Sequence, residues 1–135
     1  MNPKHLLALS LCACALVVGA APTSASTTSP TVSCARAVSW NRAASLIGRV
    51  ATVKGRVAGA FFASASNGSP TFLNLGVDYP SPRRFTIVIW GRDRKKFHSP
   101  ENSYRGRTVC VRGLIRPYAG IAEVFASSPS QIVFA

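Results

Sequence analysis

The chain has 135 residues, of which 16 are lysine or arginine and four are aspartate or glutamate, so its formal net charge is +12. This balance implies a partner that carries many negative charges, such as nucleic acid, an anionic cell-surface polymer or an anionic membrane. Two histidines and four scattered acids are too few for most hydrolytic sites, which need paired carboxylates, a nucleophile with its base, or metal ligands.

The N-terminus has the pattern of a secretory signal peptide. A polar start containing Lys4 is followed by an apolar run at 6–18, which is shorter than the roughly 20 residues that span a bilayer. We predict that residues 1–25 are removed by cleavage after Ala25, with cleavage after Ala20 as the alternative. Loss of Lys4 leaves a charge of 15 − 4 = +11. We therefore expect a basic domain, without a transmembrane segment, that is secreted or kept in the periplasm or cell envelope.

Residues 26–38 are predicted to be a flexible tether, because their first half is rich in Ser, Thr and Pro and has no periodicity. Beyond the signal peptide only Cys34 and Cys110 remain, and in an oxidising compartment we expect them to form one disulfide. Cys110 alternates with inward-facing valines, so it is expected to face outward, with the segment carrying Cys34 lying across it. Two isolated cysteines without a nearby histidine pair do not make a four-ligand metal site. We expect no metal and no cofactor.

The folded part begins with a predicted short helix. Ser39 is a suitable N-cap, the apolar residues of 40–47 fall on one helical face, and Gly48 stands where a C-cap glycine belongs. From Arg49 the period changes to two, which predicts a strand with Gly55 in its middle. A glycine at such a place is typical of a bulge or sharp bend, so we expect the strand to pass from one sheet to another there.

The rest of the chain reads as four more strands separated by loops. Strands are predicted at Thr71–Leu75, Phe85–Trp90, 106–115 and Ile121–Ala126, followed by a last extended segment at 131–134. Between the third and fourth strands, Arg92–Phe97 is predicted to make one or two helical turns with Phe97 buried, and His98–Tyr104 is predicted to be a loop.

One ten-residue phrase occurs twice, as GRVATVKGRV at 48–57 and as GRTVCVRGLI at 106–115. Nothing outside these residues repeats, so a duplication of a larger unit does not explain it. Two adjacent and similarly bent strands would look alike in this way. The pattern predicts an all-β domain at residues 39–135, in which five strands close into a small barrel with the first and fourth strands as neighbours.

At these residues the chain resembles the nucleic-acid-binding branch of the OB-fold superfamily. PTFLNLG at 70–76, FTIVIWG at 85–91, YRGRTVCVRGLI at 104–115 and SSPSQI at 127–132 resemble a group of small exported bacterial OB-fold proteins, mostly uncharacterised. The resemblance covers Ser39–Ile132. It implies a five-stranded OB-type Greek-key barrel with a short N-terminal helix and a short helix between the third and fourth strands.

The resemblance also implies that ligands bind across the face of the second and third strands and the loops beside it. That surface would carry Phe72, Asn74, Thr86, Val88, Trp90 and Tyr118. Two orientations stay open, because either Phe72 or Leu73 must be buried, and a tryptophan at a strand end is either exposed or a lid on the core. The cations expected to contact the ligand are Arg83, Arg84, Arg92, Arg94, Lys95, Lys96, Arg105, Arg107, Arg112 and Arg116.

The sequence thus predicts a monomeric exported module that binds a polyanion, with single-stranded nucleic acid preferred and no sequence specificity. Exposed rings stack on unpaired bases and nearby cations neutralise phosphates. We expect no enzyme, and His98 is expected to be a surface residue. An envelope module that binds a protein or polysaccharide is the first alternative. A degenerate secreted nuclease is the second, because PTFLNLGVDYP resembles the strand and loop of OB-barrel nucleases, although Asp78 is the only acid there.

Overall fold

A computed structural model describes residues 16, 18–26 and 31–135. Most of the predicted signal peptide and residues 27–30 of the predicted tether lie outside the described residues. The described chain is mostly β and has seven strands: β1 Val38–Ser39, β2 Val50–Phe62, β3 Thr71–Leu75, β4 Phe85–Ile89, β5 Thr108–Tyr118, β6 Ile121–Phe125 and β7 Ile132–Phe134. Two four-residue helices, α1 Gly91–Arg94 and α2 Pro100–Ser103, lie between β4 and β5. Within the described ranges, no helix is long and apolar enough to cross a bilayer.

Five of the strands form a closed, barrel-like ring. β2 pairs with β3, β3 with β4, β4 with β6, β6 with β5, and β5 again with β2. The β4–β6 pair is parallel and the other four pairs are antiparallel. The predicted total of five strands is wrong, because β1 runs parallel beside β2 and β7 runs antiparallel beside β5. These two strands have two and three residues, which is too short for a period of two to be visible.

The two copies of the repeated phrase pair with each other, as predicted. Residues 50–56 of β2 lie opposite 108–114 of β5, with Val53 facing Val111. Backbone hydrogen bonds extend the pairing at both ends, since the Gly48 N–H donates to the Ile115 carbonyl at 2.8 Å and the Gly106 N–H donates to the Val57 carbonyl at 2.9 Å. Both phrases are therefore alike because they are antiparallel neighbours in one wall of the ring.

The bend in β2 lies later than predicted. The register shifts between Val57 and Gly59, where β2 stops pairing with β5 and starts pairing with β3. Gly55 instead faces the interior, where a Cβ atom would lie 3.0 Å from Cβ of Leu75 and 3.1 Å from Cβ of Trp40. Its role is to admit close packing inside the ring of strands rather than to bend the strand.

The interior of the ring is filled by alternate residues of its five strands. Leu73, Ile87 and Val124 are fully buried, and Phe97, which follows α1, is also buried, as predicted. The predicted first helix is a 3-10 helix, Trp40–Leu46, whose Trp40 packs against this core. The predicted loop at 98–104 was wrong in part, because it contains α2 with Pro100 at its first position.

The predicted disulfide is present, since Cys34 is bonded to Cys110. Cys110 lies on the outer side of β5 but is fully buried, because the segment that carries Cys34 covers it. Cys34 begins a short 3-10 helix, Cys34–Arg36, and β1 follows directly. The end of the predicted tether is therefore held on the ring of strands by one covalent bond and one short parallel strand.

Gly76→Ala is expected to lower the free energy of unfolding by about 3 kcal/mol. Gly76 has a φ of +81°, and a Cβ atom there would overlap the ring of Trp40. Gly48→Ala is the matched control, because Gly48 has a φ of +88° with no atom within 4 Å of the added Cβ. This variant should lower the free energy of unfolding by only about 1 kcal/mol, the cost of holding a residue with a Cβ atom in the left-handed backbone conformation. Urea denaturation of both variants measures the difference, and equal losses would contradict the overlap with Trp40.

Candidate nucleic-acid interface

An apolar row crosses the outer face of the sheet formed by β2, β3, β4 and β6. Phe61 lies opposite Phe72, Phe72 opposite Val88, and Val88 opposite Phe125. Their strand neighbours Leu73, Ile87 and Val124 point into the core, so these four side chains point outward. Phe61 is 64% exposed, Phe72 and Phe125 are half-buried, and Val88 is covered by its neighbours. With strands about 4.8 Å apart, the row is about 14 Å long.

Trp90 extends the apolar row at its Phe125 end. The two rings are 5.6 Å apart in an edge-to-face arrangement, and Trp90 is half-buried on the outer side rather than packed in the core. The guanidinium of Arg116 lies over the ring of Phe125, with Cζ 4.3 Å from the ring centroid. This end of the row therefore joins aromatic faces to a positive charge.

A polar row runs parallel to the apolar row and is displaced from it by two residues on each strand. It consists of Asn74, Thr86, Glu123 and Arg116, which face one another in that order across β3, β4, β6 and β5. The Thr86 hydroxyl donates to Oδ1 of Asn74 at 3.0 Å. Because residues on one face of a strand are two positions apart, the two rows are separated by about 7 Å.

The β3–β4 loop covers the far end of the polar row. Nδ2 of Asn74 donates to Oδ1 of Asp78 at 2.8 Å, and the carboxylate of Asp78 occupies the space where Gly59 has no Cβ. Asn74 and Thr86 are both buried as a result. The chain itself thus uses these two predicted site residues to hold the loop against the sheet.

Glu123 differs from Asn74 and Thr86, which hydrogen-bond to other side chains. Only 7% of it is exposed, and among the described residues no group donates a hydrogen bond to its carboxylate or pairs with it within 4.0 Å. Burial raises the pKa of the Glu123 carboxyl, and the charge of Arg116 opposes that rise. Arg116 stands opposite in the strand register but its guanidinium is over Phe125.

Three of the ten predicted cations are engaged with acids at α1. Arg94 pairs with Glu101, and both Arg92 and Lys96 pair with Asp93. The hydrogen bond from Lys96 lowers the pKa of the Asp93 carboxyl, so this pairing contributes stability that is lost as the pH falls through the acid range. Arg92 keeps most of its side chain exposed, and Nζ of Lys96 also donates to the Ser127 carbonyl, two residues beyond Phe125. Both cations therefore lie near the Trp90 end of the apolar row.

The other predicted cations do not form a single cluster. Nη2 of Arg105 donates to the Ala60 carbonyl, next to Phe61. Arg107 lies over Phe134 of β7, and Arg112 reaches Thr52 across the β2–β5 wall, so both belong to the other side of the ring. Lys95 is exposed after α1.

Arg83 and Arg84 lie at one end of the ring, in the β3–β4 loop. They line a cavity of about 360 Å³ together with Trp40, Asn41 and Gly120. The Arg84 guanidinium lies over the ring of Tyr79 and donates to the Ser81 carbonyl. Tyr118, the last residue of β5, is largely exposed.

Sequence reasoning missed Phe61, Phe125 and Glu123. Phe61 was missed because the predicted strand followed the repeated phrase only to Val57, whereas β2 continues past its bulge to Phe62. Glu123 and Phe125 could have been assigned to the outer face from the sequence, because they alternate in β6 with the apolar residues Ala122 and Val124, which are buried. Among the residues that the structure describes, no three potential metal ligands are grouped together.

Comparison with known proteins gives similarities to solved structures only. No family model and no curated protein matches the chain. An OBody bound to hen egg-white lysozyme is 17% identical, with a TM-score of 0.47, over 67% of this chain and 83% of that one. The hypothetical protein ygiW from E. coli is also 17% identical, with a TM-score of 0.45, over 78% of this chain and 94% of that one. A putative aspartyl-tRNA synthetase from Leishmania major Friedlin is 13% identical, with a TM-score of 0.49, and the match spans 85% of this chain but 23% of that one.

Proposed function

We propose that the protein is an exported binding module that holds single-stranded nucleic acid on its apolar row, without catalysis. The observation that carries this proposal is the row itself. Three phenylalanines and a tryptophan lie on one outer face, and Arg116 covers the ring of Phe125. A contiguous row of rings on the outside of a sheet whose core is already filled on the inside is typical of an interaction surface.

The rings and the cations have complementary roles in this proposal. Each base that stacks on an exposed ring contributes about 1 to 3 kcal/mol, and the cations beside the row neutralise phosphates. Four predicted cations lie near the row: Arg105 at its Phe61 end, and Arg92, Lys96 and Arg116 at its Phe125 end. Bases in a duplex already have both faces stacked, so this arrangement favours a single strand over a duplex.

The order of the strands supports assignment to the OB type of five-stranded barrel. Counted along the chain, the five strands of the ring are β2, β3, β4, β5 and β6. The first of them, β2, lies between β3 and β5, and the third, β4, lies parallel to the fifth, β6. Helical segments occupy the connection between β4 and β5, as the resemblance to the OB-fold superfamily implies. Export is proposed from the sequence of the first 25 residues and agrees with the Cys34–Cys110 disulfide, because disulfides persist in oxidising compartments.

Affinity for oligo-dT is expected to fall steeply with salt. If about four phosphates are neutralised, the logarithmic slope for a single strand is about −2.8, which lowers affinity about 50-fold between 50 and 200 mM salt. Fluorescence anisotropy with labelled oligo-dT measures this slope, and the matching duplex should bind more weakly at every salt concentration. An affinity that does not change with salt would contradict the proposal. Stronger competition by a sulfated polysaccharide than by oligo-dT would favour the envelope-polymer alternative.

A further inference from the structure

The outer face of the wall formed by β2 and β5 carries exposed aliphatic side chains at one end. Val50 and Leu114 lie directly opposite each other in the strand register and are 60% and 47% exposed. Both are three residues from valines that point into the core, Val53 and Val111, so both point outward. Ile47 precedes this end of the wall and is also exposed. These three residues, the aliphatic patch, are the only exposed large aliphatic residues within 31–135.

Cations adjoin the aliphatic patch on the same wall. Arg112 lies two residues before Leu114 on β5, and Lys54 lies four residues after Val50 on β2, so both point outward with the patch. Arg49 is exposed directly before β2. This end of the wall therefore combines apolar side chains with positive charge.

The wall contains no acid to balance these cations. The four acids of the chain lie on other elements, in the β3–β4 loop, α1, α2 and β6. Every ion pair within 4.0 Å among the described residues involves a cation of the segment 92–96, so the cations of the wall have no acidic partner there. Uncompensated charges of one sign attract a surface of the opposite sign. The wall is therefore complementary to an anionic partner.

The aliphatic patch decides which anionic partner fits the wall. Single-stranded nucleic acid is held by stacking of its bases on rings, and aliphatic side chains do not provide such a surface. A second copy of the chain would bring the same unpaired cations together, which is unfavourable. An anionic bilayer suits both features, because aliphatic side chains enter the boundary between headgroups and acyl chains while cations are attracted to the anionic lipids.

We propose that the outer face of the β2–β5 wall binds an anionic phospholipid surface. The aliphatic patch enters the boundary between headgroups and acyl chains, and Arg112 and Lys54 contact the lipid phosphates. This inference does not depend on the proposed function. The apolar row lies on β3, β4, β6 and the part of β2 after its bulge, so it stays open while the wall is bound. Together, the two surfaces hold a single strand next to a membrane.

The experiment is cosedimentation of the protein with lipid vesicles, without nucleic acid. Vesicles of phosphatidylcholine alone are compared with vesicles in which about a third of the lipid is phosphatidylglycerol, and only the second kind should bind. Lys54→Gln with Arg112→Gln should weaken this binding about 30-fold, since each cation near an anionic bilayer contributes about fivefold. Val50→Ser with Leu114→Ser should weaken it about 10-fold, because two partly exposed aliphatic side chains no longer leave water.

Two controls separate the wall from the rest of the surface. Arg83→Gln with Lys95→Gln removes the same charge from the β3–β4 loop and the segment after α1, and should weaken vesicle binding less than about threefold because distant exposed charges are screened. Val50→Ser with Leu114→Ser should keep the wild-type affinity for oligo-dT. Thermal unfolding of each variant reports whether the fold is retained.

Equal binding to both kinds of vesicle, or binding to neither, would overturn the membrane inference and leave the proposed function standing if oligo-dT still binds. Equal losses in the glutamine pair of the wall and in its charge-matched control would also overturn it. If the glutamine pair of the wall weakens oligo-dT binding as strongly as vesicle binding, the wall is a nucleic-acid surface and the inference fails.

The opposite result separates the two proposals. Binding to anionic vesicles without binding to oligo-dT would support the membrane inference and remove the proposed function. If the serine pair unfolds, Val50→Thr keeps the β-branched shape of this exposed side chain and must reduce vesicle binding. Undiminished binding by Val50→Thr would then overturn the inference.

Discussion

Replacing Phe61 and Phe72 together with alanine is expected to weaken binding of oligo-dT about 100-fold at physiological salt. Loss of stacking costs about 1 to 3 kcal/mol for each base, so two lost rings remove at least about 2 kcal/mol, and 2.7 kcal/mol corresponds to 100-fold. The two rings face each other across β2 and β3 and point away from the core. Fluorescence anisotropy with labelled oligo-dT measures the change.

Phe134→Ala is the matched control for this double variant. Like Phe61, Phe134 is an exposed phenylalanine, but it belongs to β7 and lies on the opposite side of the closed sheet, with Arg107 over its side chain. Its loss should change oligonucleotide affinity less than twofold, a change within ordinary surface effects. Because Phe61 is 64% exposed and Phe72 is half-buried, the double variant should lose about 1 to 3 kcal/mol of the free energy of unfolding, mostly from Phe72, and thermal unfolding should show that it stays folded. A double variant that is folded and binds normally would contradict the stacking surface.

The salt slope helps to separate the two kinds of contact in this surface. Removing the two rings should shift the affinity at every salt concentration and leave the slope unchanged, because no phosphate contact is lost. Replacing Arg116 should reduce the slope instead. A surface that bound polyanions by charge alone would show no effect of the phenylalanines.

Much of the ring of strands was predictable because its information is local. Apolar runs bounded by turn and loop residues identified β3, β4 and β6 within one residue of their ends, and the repeated phrase indicated the β2–β5 pair. β1 was not predicted, since it is a strand only because β2 lies beside it, whereas the segment of β7 was predicted to be extended but without a partner strand. The position of the bend was predicted at the glycine in β2, whereas the bulge between Val57 and Gly59 follows from the change of partner strand.

The candidate site was less accessible to sequence reasoning than the fold. Alternation in β3 and β4 relates Phe72 to Asn74 and Thr86 to Trp90, but it left open whether Phe72 or Leu73 is buried and whether Trp90 is exposed, and in the structure Phe72 and Trp90 lie on the outer face. Alternation does not report what covers a face, and the β3–β4 loop with Asp78 buries two of these residues. The long-range partner of Arg94 was equally invisible, because its ion pair with Glu101 depends on how α1 and α2 pack.

The disulfide bears on stability rather than on the proposed interface. Cys34 and Cys110 are 76 residues apart in sequence, and the bond fixes the segment before β1 on the outer side of β5. Closing a loop of this size in the unfolded chain contributes about 4.5 kcal/mol in the chain-entropy model. A domain of about 100 residues has a free energy of unfolding of about 5 to 15 kcal/mol, so this is a large share of the total.

Cys34→Ala is therefore expected to lower the free energy of unfolding by about 4 kcal/mol. Cys34 is the position to change, because it is only half-buried whereas Cys110 is enclosed. Urea denaturation with and without reductant gives the measurement, and reductant should destabilise the wild type by a similar amount while leaving Cys34→Ala unchanged. A wild-type midpoint that does not move in reductant would contradict the entropic role of the bond. Since the apolar row lies on other strands of the ring, folded Cys34→Ala should bind oligo-dT with wild-type affinity, which separates the covalent attachment of the N-terminal segment from the binding surface.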